Sequence, residues 1–363
     1  MATNAKNLAE LLNTDTTVAV GDIADGSVTS AKLAASAVTT AKVADDAVTT
    51  AKVANTVNLG RRNLIINGEF QCWQRGNSIT SNNSNKYTAD RWHSGTNGSE
   101  NVVYSRQFTN TSDGTPYMRV RRAGTASGRM YLTQMMETSV LDFCRGKTVT
   151  LSFQARKHAD FDATFVSRIA TQTNQSPRDD TVVQNNDVTR TLTTSFQTFT
   201  QSLTLTSSSN SANGFRVEFV VEDGANSSSN YYYEVRDVQL EIGSVATPIE
   251  HRSFAEELQL CKRYYQEYQA CAQEWIYVEG NGAAYKWWQN PIKVPMRATP
   301  TTTHTGFTGA SFAGSTVSTL TRQGISANRV SWRVTLAGAA GGAYEIRHTD
   351  QFDQDKIHMD AEL

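Results

Sequence analysis

The sequence predicts a mainly β chain that assembles as a trimeric fibre, with an N-terminal repeat stalk, a jelly-roll β-sandwich, and a small C-terminal β domain preceded by a helix. Three observations predict it. One decapeptide is written three times between Ser27 and Thr56, as SVTSAKLAAS, AVTTAKVADD and AVTTAKVANT. A long stretch of strand-like runs separated by Gly, Asn, Ser and Asp clusters then extends to Ile242. After it, Ser253 and Glu256 form a capping-box pattern ahead of one helical stretch, and further strand-like runs close the chain.

The repeat dominates the N-terminal part. Val28, Val38 and Val48 recur, as do Leu33, Val43 and Val53, so an aliphatic residue falls every five positions. On a helix a five-residue step moves each aliphatic roughly 140° around the axis, so no stripe forms, which argues against a coiled coil. On a strand five is odd, and successive aliphatics would point to opposite faces. What remains is a chain that bends once per half-repeat and buries its small residues against identical neighbours wound round one axis. A disordered Ala/Ser/Thr linker has no need to repeat the same aliphatic positions. Before the repeats, NAKNLAELLN puts Leu8, Leu11 and Leu12 on one face of a helix too short to stand alone, which suits docking.

Composition narrows the class. A net charge of -1 with 19% charged residues offers no electrostatic ground for nucleic acid or anionic lipid. No apolar run reaches the ~18 residues of a membrane span, and residues 1–20 lack a signal-peptide pattern. The expectation is no nucleic acid partner, no membrane insertion, and assembly in a host cytoplasm. The four cysteines, Cys72, Cys144, Cys261 and Cys271, are far apart in sequence and favour free thiols over a disulfide framework.

From Asn63 the pattern is β. Strands are expected near 101–108, 117–122, 129–136, 147–156, 163–170, 195–205, 214–222 and 231–242, enough for a two-sheet sandwich of jelly-roll type. Pro248 ends it. The helix is expected over 253–270, with Phe254, Leu258, Cys261, Tyr265 and Tyr268 on one face. EWIYVEGNGAAYKWWQNP then reads as a hairpin turning at Asn281-Gly282, with strands near 328–336, 343–349 and 356–361 after it. The expected divisions are an attachment segment 1–22, a stalk 23–60, a jelly roll 61–250, and a helix with C-terminal tip 251–363.

Several segments carry a resemblance: NLIINGEFQCWQRG (63–76), YTADRW (87–92), GKTVTLSFQAR (146–156), DVQLEIGSVATPIEHRSFAEELQLCKRYYQ (237–266), PMRATPTTT (295–303) and the terminal DAEL. They resemble phage tail fibre proteins, trimeric fibres with a carbohydrate-binding-module-like jelly roll on a repeat stalk. The resemblance implies a virion tail protein that forms a homotrimer, joins tail or adaptor proteins through its N-terminus, and binds a glycan or outer-membrane receptor on the host. It also implies a calcium position where first and last strands meet, at Glu69 and Asp237. Gln71 stands where an acid would help, so no metal and no cofactor is assigned.

Motifs of catalysis do not occur: there is no HExxH, no GxSxG and no glycine-rich phosphate loop, and the six histidines are scattered. Adjacent acids at Asp45-Asp46, Asp179-Asp180, Glu222-Asp223 and Glu256-Glu257 fall in the stalk, in turns and in a first helical turn, where they read as solvated. The expectation is a protein that is not an enzyme, with a polysaccharide-degrading tail spike or a structural collar fibre as rivals.

Aromatic rings remain, since their faces stack on sugars. Trp73, Tyr87, Trp92, Phe153 and Tyr231 to Tyr233 read as sandwich core. The denser group Trp275, Tyr277, Tyr285, Trp287 and Trp288 is the candidate receptor site, as a ladder across the expected hairpin with Trp275 opposite Trp287 or Trp288. For the stalk, light scattering at micromolar concentration is expected to give a trimer's mass, and a monomer would refute packing of the repeats on a common axis.

Overall fold

The computed structural model describes residues 27–34, 37–39, 61–82, 86–96, 101–109, 114–123, 128–177, 181–221, 231–269, 273–278, 283–291, 294–305, 311–312, 315–326, 329–337, 342–347 and 356–362; the side chains of 268–291 and 304–357 lie outside that description. The chain divides into two compact units, Met1–Val57 and Asn58–Leu363. In the first, a 3-10 turn spans Ser30–Lys32, where the Lys32 amide donates to the Thr29 carbonyl at 2.9 Å. Val28, Leu33 and Val38 are 47% to 58% exposed in the single chain. The expected attachment segment 1–22 and most of the repeats lie outside the described residues.

The second unit begins with a sandwich. Its described strands are β1 Ser78–Asn82, β2 Lys86–Tyr87, β3 His93–Thr96, β4 Asn101–Phe108, β5 Pro116–Arg122, β6 Met130–Met136, β7 Thr148–Lys157, β8 Phe165–Gln172, β9 Val182–Arg190, β10 Gln197–Thr204, β11 Gly214–Val221 and β12 Tyr232–Ile242. They form two antiparallel sheets, β1-β4-β5-β12-β7-β10 and β2-β3-β6-β11-β8-β9, a jelly-roll sandwich. Alternation decides the faces. Met118 and Val120, Leu151 and Phe153, and Tyr233 and Val235 point inward from the first sheet, against Leu132, Ile169, Val217 and Phe219 of the second. Phe219 is the centre of the core's rings, 4.8 Å from Phe153, 5.9 Å from Phe165 and 6.2 Å from Trp92. Each such fully buried side chain contributes about 1.5–3 kcal/mol.

The eight expected strands stand within about two residues of where the alternation places them. The short strands β1, β2 and β3 and the strand β9 are not among those expected; β9, VVQNNDVTR, is polar because it is an edge strand whose alternate residues are exposed. Helix α1, Thr138–Cys144, buries Leu141 and Cys144 and also gave no periodic signal in its seven residues.

Ahead of β1, the segment from Asn63 to Phe70 has no regular structure yet completes the first sheet. β12 pairs with β5 only through Val235, and a bulge then shifts its register against β7 between Arg236 and Gln239. The edge of β12 beyond β5 is taken by the segment. Leu64 N donates to Leu240 O at 2.8 Å, Val238 N to Gly68 O at 3.0 Å, and the Asn63 side chain bonds Val238 O and Leu240 N at 3.0 and 3.1 Å. Backbone groups that would be orphaned under the core are thereby satisfied.

Helix α2, Phe254–Lys262, opens with the capping box that Ser253 and Glu256 predict. It is shorter than the 253–270 expected. Tyr265–Gln269 is instead strand β13, paired with β21, Lys356–Asp360; aromatic residues suit a strand with a partner available, and that partner lies some ninety residues away in sequence. The buried face is also rotated. Phe254 is 53% exposed, while Glu257 and Cys261 are buried, because Glu257 accepts the backbone N–H of Asn67. Beyond it, β14 Gln273–Val278, β15 Ala283–Pro291, β16 Thr301–Thr305, β17 Ser311–Phe312, β18 Ser315–Ser326, β19 Arg329–Ala337 and β20 Gly342–Arg347 form sheets β13-β21-β16, β14-β20 and β15-β19-β18-β17 with β21.

Gly68 tests the seat of the N-terminal segment. A Cβ there would lie 2.1 Å from Val238 O, inside contact distance to backbone that cannot swing away. Gly68→Ala is expected to cost about 2 kcal/mol or more in denaturant unfolding, the range of a strained core substitution.

Candidate functional site

Most of the segments that carry the family resemblance meet in one place. Asn67, at φ 58°, is their hub. Its side chain donates to Cys72 O at 2.8 Å and Asp90 O at 3.0 Å and accepts from Cys72 N at 2.9 Å, while its carbonyl accepts from the Trp92 indole at 2.9 Å. Around it the 63–76, 87–92 and 250–266 segments and the C-terminus share buried charges. Arg75 lies 3.0 Å from Asp360, 3.4 Å from Glu362 and 3.7 Å from Asp90. Arg91 pairs with Glu362, and its guanidinium stands 3.6 Å over the Tyr264 ring; Arg75 stands 3.6 Å over Tyr265. Arg297 bonds the carbonyls of Ala361 and Glu362 at 3.0 and 3.1 Å. This joint opens on a cleft of about 520 Å³ whose walls include Arg75, Lys86, Tyr87, His93 and Asp360.

Cys72, Asp90 and Cys261 are buried with their donor atoms within 4.8 Å of one another, the sole such His, Cys, Asp or Glu group of three or more among the described residues. The spacing of the cysteines in sequence gave no sign of this meeting. Both Asp90 oxygens are already held by Gln74, at 3.2 Å from its backbone N–H and 2.8 Å from its side chain, and the Arg75 cation is the next neighbour. Burial pushes the Cys261 thiol pKa well up. A protonated thiol beside a carboxylate already bonded by Gln74 and faced by the Arg75 cation makes a polar joint rather than a ready set of cation ligands. Glu69 and Asp237, the positions the resemblance implies for calcium, belong to no cluster of three metal-ligating side chains among the described residues; Glu69 bonds His251 at 2.7 Å and Gln71 at 3.2 Å.

A different array occupies the outer face of the β1–β10 sheet. Its residues are the alternate ones that point away from the core: Tyr117, Arg119 and Arg121 on β5, Tyr232, Glu234 and Arg236 on β12, Gln154 and Arg156 on β7. Register sets Arg119, Glu234 and Arg156 in one row across three strands. Arg119 reaches Glu234 at 2.7 Å through Nε, and Arg156 holds the other carboxylate oxygen. Burial works against the Arg156 charge, but hydrogen bonding and attraction to Glu234 together with Tyr117 outweigh it, and its pKa is raised. Rings back the guanidiniums. Arg119 lies 4.2 Å over Tyr232, while Arg156 and Arg236 lie 4.4 and 4.2 Å over Phe196. Arg236 also donates to Gln154 at 2.8 Å. The result is a flat, rigid set of forked donors, about a quarter to a third exposed, suited to pairs of hydroxyl or carboxylate oxygens.

The expected tryptophan ladder does not form. Trp275 and Tyr277 are on β14, which pairs with β20, so Trp275 faces Glu345 and Tyr277 faces Ala343. Tyr285, Trp287 and Trp288 are on β15, which pairs with β19, so Trp287 faces Arg333 and Trp288 faces Trp332. The two arms prefer long partners elsewhere to each other, and the turn at Asn281-Gly282 lies outside the described residues. Of the rings read as core, Trp73, Trp92, Phe153, Tyr231 and Tyr233 are buried, whereas Tyr87 is partly exposed on the wall of the cleft and Tyr232 belongs to the outer face. No local signal marked the outer face, because its arginines come from three distant strands.

No family description and no curated protein matches this chain. Among solved structures it is similar to the enzymatically active domain of tailspike protein 4 of bacteriophage CBA120, at 13% identity over 50% of this chain and 21% of that one, with a TM-score of 0.34. The chain thus spans about a fifth of that tailspike. It is also similar to a family 4 carbohydrate-binding module (19% identity, 49% of this chain, 98% of that one, TM-score 0.31) and to a Stig cyclase from Fischerella sp. TAU (13%, 51%, 98%, 0.33). The expectation that the chain is not an enzyme is corrected by this set. Two of these three are described as catalytic, at 13% identity each.

Asp90 supplies a pH test of the joint. Desolvation raises its pKa to about 6, against a lowering by Arg75 and Gln74. The folded chain therefore keeps a proton down from pH ~6 that the unfolded chain releases near its ordinary value of about 4, so stability falls as pH rises between the two and levels off above. Asp90→Asn should remove that slope, about 1.4 kcal/mol per pH unit at its steepest, in urea unfolding followed from pH 4 to 7.

Proposed function

We propose that this chain is a glycan-binding protein of a phage tail that attaches the particle to its host, and that the outer face of the β1–β10 sheet makes the contact. One observation carries the reading: the row Arg119, Glu234, Arg156, with Arg121 and Arg236 beside it, presents forked donors on a rigid sheet backed by Tyr232 and Phe196. Guanidiniums held by a carboxylate and a ring lose little freedom on binding, so their hydrogen bonds to vicinal hydroxyls are gained at small entropic cost. The jelly-roll sandwich and the family-like segments support a tail-associated role. In this reading the repeats join three copies, burying Val28, Leu33 and Val38 on the common axis, and residues 1–22 dock to the tail. The particle's tail is then its place of residence.

A second reading keeps the receptor site in the C-terminal strands, on the ground that Trp288 stands opposite Trp332. Binding of the purified chain to cells that the particle infects, with and without their surface polysaccharide, separates the two. The double variant Tyr232→Ala, Arg236→Ala is expected to bind about tenfold or more weakly, as for two lost contacts of about 1 kcal/mol each. Full binding by that variant beside a loss in Trp288→Ala would move the contact to the C-terminal strands.

A further inference from the structure

We infer that the ligand of the outer face of the β1–β10 sheet is an anionic polysaccharide, its carboxylates received by Arg119, Arg121, Arg156 and Arg236. The inference rests on the glycan-binding reading of that face and names the class of glycan.

Charge distinguishes this face from its counterpart across the core. On the outer face of the second sheet Arg168 and Arg216 meet Asp187 and Glu218: Arg168 bonds Asp187 through two nitrogens at 2.8 Å and Glu218 at 2.8 Å, and Arg216 lies 3.7 Å from Glu218. Cations and acids there are equal in number, as a self-contained network requires. On the β1–β10 face four arginines stand against Glu234 and Asp237, and the latter lies 3.5 Å from Arg236. Around that row two positive charges are in excess, since Glu241, further along β12, is buried and held by Thr247. The acids are also hidden. The Glu234 side chain is 0% exposed beneath Arg119 and Arg156, which are 27% and 32% exposed. An approaching polymer therefore meets guanidinium edges, with the one central carboxylate screened by the groups it holds.

Geometry favours a polymer over a single ion. The row spans two strand spacings, so the backbone positions of Arg119 and Arg156 lie about 10 Å apart. Arg121 follows Arg119 by two residues on the same side of β5, about 7 Å further along the strand. Donors dispersed over such a face do not close round one small anion. They match acid groups repeated along a chain.

The test uses the full chain in affinity gel electrophoresis with two polyuronates, polygalacturonate and alginate, each beside its carboxyl-reduced form. Retardation by the polyuronates, little by the reduced polymers, and loss of the effect near ~0.5 M salt are expected, since exposed charges are screened there. Arg121→Gln stands outside the Glu234 row and leaves that carboxylate's partners in place. It should bind polyuronate about tenfold more weakly, at an unchanged thermal midpoint. Equal binding of acidic and reduced polymers, both weakened by Tyr232→Ala, would overturn the acidic class and keep the glycan face. Binding unaltered by Arg121→Gln, Arg236→Gln and Tyr232→Ala alike would overturn the face itself.

Discussion

The second unit depends on the conformation of Asn67. A left-handed φ on a residue other than glycine is uncommon and is favoured least badly for asparagine. Here it turns the chain so that every polar group of the residue finds a partner: backbone N–H to Glu257, carbonyl to Trp92, side chain to Cys72 and Asp90. One residue thus ties the strand-like segment before β1, the turn ahead of β3 and helix α2 to one another. Because those groups are buried, losing one partner leaves the rest unsatisfied, and the arrangement behaves as a unit.

The charged joint follows from that arrangement. Arg75 and Arg91 arrive beside Asp90 on the chain turned by Asn67, and Asp360 and Glu362 arrive from the far C-terminus. Ion pairs this deep gain little net stability over apolar packing, since desolvation cancels most of the attraction. They do penalise any arrangement in which a partner is missing. The rings of Tyr264 and Tyr265 beneath the guanidiniums add contacts that only this docking supplies. The joint therefore specifies where the C-terminal strand β21 attaches, and the family-like segments are legible as its parts rather than as a ligand site.

The two outer faces of the sandwich show how a shared scaffold separates structure from function. Both carry arginines next to acids. Where the charges balance, the network closes on itself, as around Glu218; where they do not, as around Glu234, the surplus is directed outward by rings that prevent the guanidiniums from folding away. Sheet geometry supplies the flatness and register that loops would lack.

Period-two alternation is enough to read every strand from 101 to 242 but the polar edge strand β9, and thus the sandwich, because apolar-inward patterning is imposed residue by residue along each buried strand. The capping box of Ser253 was equally local and equally readable. The helix length was not, since Tyr265–Gln269 takes its conformation from pairing with Lys356–Asp360. The tryptophan strands also read correctly as strands, yet Asn281-Gly282 suggested the wrong partners: pairing between β14 and β20 or β15 and β19 is decided by edges that exist only after folding. The guanidinium face was invisible for the same reason. Arg119, Arg156 and Arg236 are unremarkable in their own strands, and only register sets them in a row with Glu234 between. The sequence by itself determined which residues face inward, because hydrophobic burial acts on local pattern; tertiary structure alone decided which outward residues meet, because that depends on strand order and register across more than a hundred residues of chain.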